Sequence, residues 1–244
     1  MHRLGLIGKT LSHSFSKTFF EEKFRREGIS DYSYDLFEIP EIQQITDFIR
    51  QHPDLKGFNV TIPYKQTIIP FLDELSQEAA AIGAVNAVFI KRNGNQILTK
   101  GFNTDAEGFL RSMDGYPMPS KAMVLGTGGA AAAISYVLEN HGCACTFVSR
   151  DPKRGLPYSA LTTELVRKHP LIVNCTPLGT SPNINEKPDI PYEGISGGHF
   201  LYDLVYNPSE TAFLKEGIRR GAMTQNGLAM LHAQAEAAWS LFRT

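Results

Sequence analysis

Met123-Val124-Leu125-Gly126-Thr127-Gly128-Gly129-Ala130-Ala131 decides the fold of this chain. A short apolar run enters a G-x-G-x-x-A turn, and the alanines that follow open a helix. Such a glycine run is weak evidence alone, but between a strand and a helix it acquires a mechanism. Gly126 permits the tight turn, Gly128 lets a pyrophosphate approach the backbone, and Ala131 lets helix and strand pack closely. The N–H groups at the helix start, around Thr127, Gly129 and Ala130, would then hold phosphate oxygens. The plainer alternative is a tight strand-to-helix turn without a ligand.

Outward from this turn, residues 122–125 read as a strand and 130–140 as its helix. Further strands follow at 145–149, 171–175 and 199–205, with a helix at 210–220 stopped by Gly221. Toward the N-terminus, 3–8 reads as a buried strand. Ser16 then caps a helix that carries Phe19, Phe20 and Phe24 and ends at Gly28. Residues 32–39 alternate like a strand, and Ile42, Ile45 and Ile49 recur at helical spacing. A strand at 55–60 precedes a hairpin formed by 84–90 and 96–100 around Asn93-Gly94. Alternating strand and helix predict parallel sheets covered by helices, in two units. The break at 114–119, rich in Gly and Pro, is the best linker candidate. Leu228, Leu231, Ala235, Trp239 and Phe242 form one helical stripe that must dock on an apolar surface.

Composition narrows the function classes. The 244 residues carry 42% hydrophobic and 20% charged side chains and a formal charge of −1. That is ordinary globular composition, with no basic excess to hold a nucleic-acid backbone, so a small-molecule partner is expected. Three cysteines argue against a disulfide framework. Cys143 and Cys145 would share one strand face as small apolar residues, and no metal-ligand spacing surrounds them. Met1 to Leu4 runs straight into a strand without a leader, and no apolar stretch reaches the ~18–20 residues of a membrane span. A cytoplasmic location without membrane contact is the expectation.

Polar clusters carry the chemistry. Asn59-Val60-Thr61-Ile62-Pro63-Tyr64-Lys65 places an amide, a hydroxyl and an ammonium around a proline at a strand end. Asn103-Thr104-Asp105 forms a second cluster. In isolation Lys65 is a surface lysine, and Thr104 or Asp105 is a helix cap. The density of Asn59, Thr61, Asn86 and Asn103 moves both Lys65 and Asp105 toward function. Ser14 and Ser16, two apart after the first strand, could reach one polar ligand, although spacing alone favours capping by Ser16. His13 reads as structural or exposed. At the end of strand 145–149 an NAD site would show an acidic residue. Ser149-Arg150, followed by Arg154, instead suits the 2′-phosphate of NADP, while Asp151 pulls the other way.

Taken together, these segments resemble the shikimate dehydrogenases. The matching stretches are Ser14-Phe15-Ser16, the heptapeptide ending at Lys65, Gly83-Ala84-Val85-Asn86 and Gly101-Phe102-Asn103-Thr104-Asp105. After the glycine turn come Asn174-Cys175-Thr176-Pro177-Leu178-Gly179, Asp203-Leu204-Val205-Tyr206-Asn207-Pro208, and Asn226-Gly227-Leu228-Ala229-Met230-Leu231 with Gln234. The resemblance implies an N-terminal α/β substrate-binding domain with a mainly parallel sheet, residues 1–104 with 226–244. It implies a Rossmann-type NADP-binding domain at 105–225. Ser14, Ser16, Asn59, Thr61, Asn86, Asp105, Tyr206 and Gln234 would surround shikimate. Lys65 and Asp105 would be the catalytic pair. NADP would contact the glycine turn, Ser149, Arg150 and Arg154, with Asn174, Thr176 and Pro177 on a neighbouring strand end and Leu204 and Gly227 beyond them. No metal is implied.

The implied reaction is the reversible NADPH-dependent reduction of 3-dehydroshikimate to shikimate, in chorismate and aromatic amino acid biosynthesis, by a monomer or homodimer. Two alternatives stand beside it: a quinate/shikimate dehydrogenase using NAD, and a non-catalytic ligand sensor on the same fold. One departure from the family is a shorter stretch between Arg150 and Leu171, which implies a trimmed adenosine wall. A free lysine has a pKa near ~10.4, which burial lowers and a carboxylate raises. The expectation is that Lys65 delivers the proton while Asp105 orients it and the substrate hydroxyl.

Overall fold

Strand β1 (His2–Gly8) is buried from Leu4 through Gly8, as a strand covered on both faces must be. It runs parallel to β2 (Tyr32–Glu38) on one side and to β3 (Leu55–Val60) on the other. Helices α1 (Phe15–Glu27) and α2 (Ile45–Gln51) lie in the two connections. After β4 (Glu74–Leu75), α3 (Gln77–Ile82) is capped by the Ser76 hydroxyl, which accepts from the Ala79 N–H, and ends at Gly83 with φ of 69°. Strands β5 (Ala87–Asn93) and β6 (Gln96–Phe102) form the expected hairpin. The sheet order is β2-β1-β3-β5-β6-β4, mixed because β5 is antiparallel to both β3 and β6. The computed structural model describes residues 1–11, 15–94 and 96–243.

The second sheet is parallel throughout, in the order β11-β10-β9-β7-β8. Helix α4 (Asp105–Ser112) leads to β7 (Lys121–Leu125), α5 (Gly129–Asn140) and β8 (Ala144–Val148). Short α6 (Thr163–Arg167) precedes β9 (Leu171–Asn174), and β10 (Phe200–Asp203), α7 (Ala212–Arg219) and β11 (Met223–Asn226) follow. Helix α8 (Leu228–Phe242) closes the chain. The shortened connection is held by Leu156, which bridges in parallel to Val148 and exchanges backbone hydrogen bonds with Phe147 and Ser149. Among the described residues no helix is long and apolar enough to cross a membrane.

Two compact units emerge, Met1–Thr104 with Ala235–Thr244, and Asp105–Gln234. The 114–119 break is therefore no linker but a turn inside the second unit. Tyr116 holds it there by stacking on Phe200 at 4.5 Å and 17°. Residues 226–234, grouped by sequence with the first unit, cluster with the second. Gly108 of α4 approaches α8 so closely that a Cβ would lie 2.8 Å from the Gln234 Cβ.

The first unit has a core on each face of its sheet. Ile45, Ile49, Leu55, Phe58, Ile68 and Val88 fill one side. Phe20, Phe24 and Tyr34 fill the other with Ala238, Trp239 and Phe242 of α8. The docking stripe of α8 is thus its C-terminal half, and Leu228 is exposed. Buried Lys23 ties α1 to α8 through Glu236 and to its own helix through Glu27, both at 2.7 Å. Phe242 reaches the sheet because residue 57 is glycine: a Cβ there would sit 2.7 Å from the Phe242 ring and 2.8 Å from the Val88 carbonyl. Gly57→Ala is expected to destabilise the protein by about 1–3 kcal/mol, less in a Phe242→Ala background. Urea denaturation checks this, and equal losses in both backgrounds would show that the two sites are independent.

Candidate active site

In the first unit the chain order places β2 and β3 on opposite sides of β1. Ligand sites of α/β sheets form outside the carboxyl ends of strands at such a reversal. Asn59 sits there, at the end of β3, and is buried. Its Oδ1 accepts from the Tyr34 hydroxyl at 2.9 Å, and its Nδ2 donates to the Asn86 carbonyl at 3.2 Å. Asn86 is buried too: its Oδ1 accepts from the Thr104 N–H at 2.6 Å, and its Nδ2 donates to the Thr104 hydroxyl at 2.9 Å. Asn103 donates from Nδ2 to the Ala84 carbonyl at 2.9 Å.

The turn that follows β3 is fixed at both ends. The Thr61 N–H donates to the Ile7 carbonyl at 2.9 Å. The Tyr64 hydroxyl lies 2.6 Å from the Ile39 carbonyl and 2.8 Å from that of Pro40. The Lys65 carbonyl accepts from the Val85 N–H at 2.7 Å. The half-buried side chains of Thr61 and Lys65 therefore leave a backbone that cannot drift. The Ser16 hydroxyl hydrogen-bonds Tyr34. Ser14 lies outside the described residues.

Hydrogen bonds thus connect three of the expected substrate residues, Ser16, Asn59 and Asn86, with Tyr34 and Thr104. Sequence reading gave Tyr34 no role. Its only signal was a polar tip at an inward position of an alternating strand. Burial pushes the Tyr34 phenol well above its ordinary pKa, so it stays protonated and donates. Asp105, the first residue of α4, is buried.

The second unit repeats the reversal, with β8 and β9 on opposite sides of β7. Gly126, with φ of 111°, turns the chain as its N–H donates to the Val148 carbonyl at 2.8 Å. A Cβ at Gly126 would come within 3.4 Å of Cys175 and Thr176 on the next strand end. Gly128 caps α5, and a Cβ on it would meet nothing within 4 Å. The first-turn N–H groups of Gly129 and Ala130 have no acceptor in the helix itself. Ala131 is fully buried against the sheet. This cradle fits a pyrophosphate.

Asn174 is fully buried at the end of β9. It donates to Asp203 Oδ1 at 2.8 Å, while its Oδ1 accepts from the Thr176 N–H at 3.0 Å and the Thr176 hydroxyl at 2.6 Å. Asp203, to which the sequence assigns no role of its own, accepts further from Thr211 at 2.5 Å and from the Val205 N–H at 3.0 Å. Pro177 follows in the same strand-end turn, whose Thr180 N–H donates to its carbonyl. Gly227 is required beside Leu204, since a Cβ would lie 2.1 Å from the Leu204 carbonyl oxygen. Gln234 donates to the Leu231 carbonyl within α8, and Tyr206 is half-buried.

The basic turn after β8 resolves into distinct roles. Arg154 donates to the Thr127 carbonyl of the glycine turn. Ser149 Oγ lies 3.5 Å from the Thr127 hydroxyl and accepts from the Asp151 N–H. The Asp151 carboxylate accepts from the Lys153 N–H at 3.0 Å, so it serves its own turn. The Arg150 charge counters the rise that burial imposes on the Tyr158 pKa. Burial raises the pKa of Cys145 to about 12. Among the described residues no group of three potential metal ligands occurs.

A glycine cradle on a parallel sheet and a separate α/β unit with a lysine-bearing polar turn define a two-domain, nucleotide-dependent dehydrogenase. A family model described as the shikimate dehydrogenase substrate binding domain matches residues 6–88. The shikimate dehydrogenase (NADP(+)) of Caldicellulosiruptor saccharolyticus is 35% identical, over 96% of this chain and 90% of that protein. Its namesake from Clostridium botulinum is 34% identical, over 99% and 96%. The shikimate 5-dehydrogenase of Thermus thermophilus, solved in complex with NADP(H) and shikimate, superposes with a TM-score of 0.86 at 32% identity, covering 99% and 93%. The chain belongs to the shikimate dehydrogenase family.

Asp203 gives a pH signature. Burial raises its pKa from 3.8 to about 6, against the opposing hydrogen bonds from Thr211, Val205 and Asn174. A raised folded-state pKa contributes stability that is full below the unfolded value and is lost as pH rises through the folded one. Relative to Asp203→Asn, the wild type should lose at most about 3 kcal/mol between about pH 4 and pH 7. Urea titrations across that window check it, and a pH-independent difference would place the carboxyl at its ordinary value.

Proposed function

We propose that this chain catalyses the reversible NADPH-dependent reduction of 3-dehydroshikimate to shikimate, a step of chorismate and aromatic amino acid biosynthesis. The observation that carries the reading is the polar lattice of Ser16, Asn59 and Asn86 beside the anchored Lys65 turn, in a chain whose relatives bear this activity by name. The first unit carries most of the substrate residues and the second binds NADP. Ser14, Thr61, Tyr206 and Gln234 complete the set of substrate residues.

Bound NADPH supplies the hydride. Lys65 delivers the proton to the carbonyl oxygen and takes it back in the reverse direction. Asp105 orients the reacting hydroxyl. Asn59 spends its Oδ1 on Tyr34 and one N–H on Asn86, so its remaining N–H is what it offers to a ring hydroxyl. The first turn of α5, with Thr127, Asn174, Thr176 and Pro177, holds the cofactor's phosphates and nicotinamide half, and Leu204 and Gly227 line the latter. Preference for NADP rests on Arg154 and Arg150 beside Ser149, with Asp151 engaged by Lys153. The protein acts in the cytoplasm as a monomer or homodimer.

Shikimate and quinate crossed against NADP⁺ and NAD⁺, followed by absorbance of the reduced nicotinamide, should give the highest kcat/KM for shikimate with NADP⁺. No turnover in any of the four combinations overturns the reading. Lys65→Ala should lower kcat by about 10²–10⁴-fold, and a kcat within a few-fold of wild type removes the proton-transfer role. Arg154→Ala should raise KM for NADP⁺ about tenfold and leave that for NAD⁺ nearly unchanged, and a parallel rise for both cofactors would instead assign Arg154 to the shape of the glycine turn.

A further inference from the structure

Tyr34 lies on β2, remote in sequence from every motif of the site, yet its hydroxyl is the junction between Ser16 and Asn59. Counting protons fixes the direction of each bond. The Asn59 Oδ1 can only accept, so it takes the single phenolic proton of Tyr34. The phenol oxygen must then accept from Ser16. On its other side Asn59 faces the Asn86 carbonyl, which also only accepts. A flipped Asn59 amide would set two carbonyl oxygens against each other, so one orientation survives.

Packing fixes the ring that carries this hydroxyl. Tyr34 is buried and stacks on Phe20 with centroids 4.2 Å apart and planes 10° apart. Asn59 therefore cannot turn away from the phenol without leaving its buried proton without an acceptor, which is costly, and the departure of Ser16 would cost the phenol oxygen its donor.

We propose that Tyr34 is a positioning residue for the substrate, whose hydroxyl locks the Asn59 amide and the Ser16 hydroxyl in the orientation that a polyhydroxylated ring acid meets. The inference rests on the assignment of Ser16 and Asn59 to shikimate. Nothing in Tyr34 touches the reacting atoms. Its influence passes through its two partners, so it acts on shikimate affinity and not on hydride or proton transfer.

Tyr34→Phe keeps the stacked ring and deletes only the junction. Steady-state kinetics should show KM for shikimate raised about tenfold, with kcat and the KM for NADP⁺ within about twofold of wild type. In an Asn59→Ala background the same substitution should raise KM by clearly less than in the wild type, because one of the two partners it positions is gone and only the Ser16 arm remains. Tyr192→Phe is the control. It removes a buried phenol bond to the Pro188 carbonyl, 2.7 Å long, in the second unit, and should leave the shikimate KM unchanged. An unchanged KM in Tyr34→Phe overturns the inference, as does a loss shared equally by kcat and both KM values, which would mark Tyr34 as purely structural. A wild type that neither turns over nor binds shikimate by calorimetry is a separate outcome: it removes the functional reading and this inference with it.

Discussion

A buried amide at the carboxyl end of a central strand must find partners for both a donor and an acceptor, and both units depend on how that demand is met. Asn59 is the penultimate residue of β3 and Asn174 ends β9, each beside a strand-order reversal. Each side chain reaches across to the next strand or its approach: Asn59 to the Asn86 carbonyl just before β5, and Asn174 to Asp203 at the end of β10. These cross-links fix the rims of the sheets, where ligands of α/β folds bind. The polar network is therefore structural and functional at once. Satisfying the buried amides sets the direction of the hydrogen-bonding groups left over for a ligand.

The same logic separates groups that share a composition. Of the two arginines after β8, Arg154 donates to the Thr127 carbonyl of the glycine turn. Asp151, a candidate ribose reader by type, accepts the Lys153 N–H on one carboxylate oxygen. Trimming the crossover does not open the sheet. Leu156 bridges to Val148, and Gly155 permits the close pass: a Cβ there would lie 2.9 Å from the Phe147 carbonyl oxygen.

Much of the fold was legible because it is local. The glycine turn between strand and helix, the Asn93-Gly94 hairpin and the alternation of the first hundred residues all depend on neighbours a few positions apart. The linker was misplaced because glycine and proline signal a turn and not what the turn packs on. Only the stacking of Tyr116 on Phe200 shows that the segment belongs inside the second unit. Residues 226–234 fell to the other unit for a similar reason. The missing side chain at Gly108 brings α4 onto Met230 and Gln234, and an apolar stripe cannot report which partner it meets. Of the site, Lys65 and the glycine cradle were legible as motifs, while Tyr34 and Asp203 had no assigned role. Their partners lie 25 and 29 residues away, Asn59 and Asn174 respectively.

The sequence by itself determined the class of each element, the place of the cofactor turn and the family, because periodicity, turn chemistry and ordered motifs are properties of short stretches. Tertiary structure alone decided where one unit ends and the next begins, which arginine addresses the glycine turn, and which way the Asn59 amide points. Those outcomes depend on long-range burial. A polar group enclosed between strands must take whatever donor or acceptor the fold brings to it, and no local pattern records that encounter.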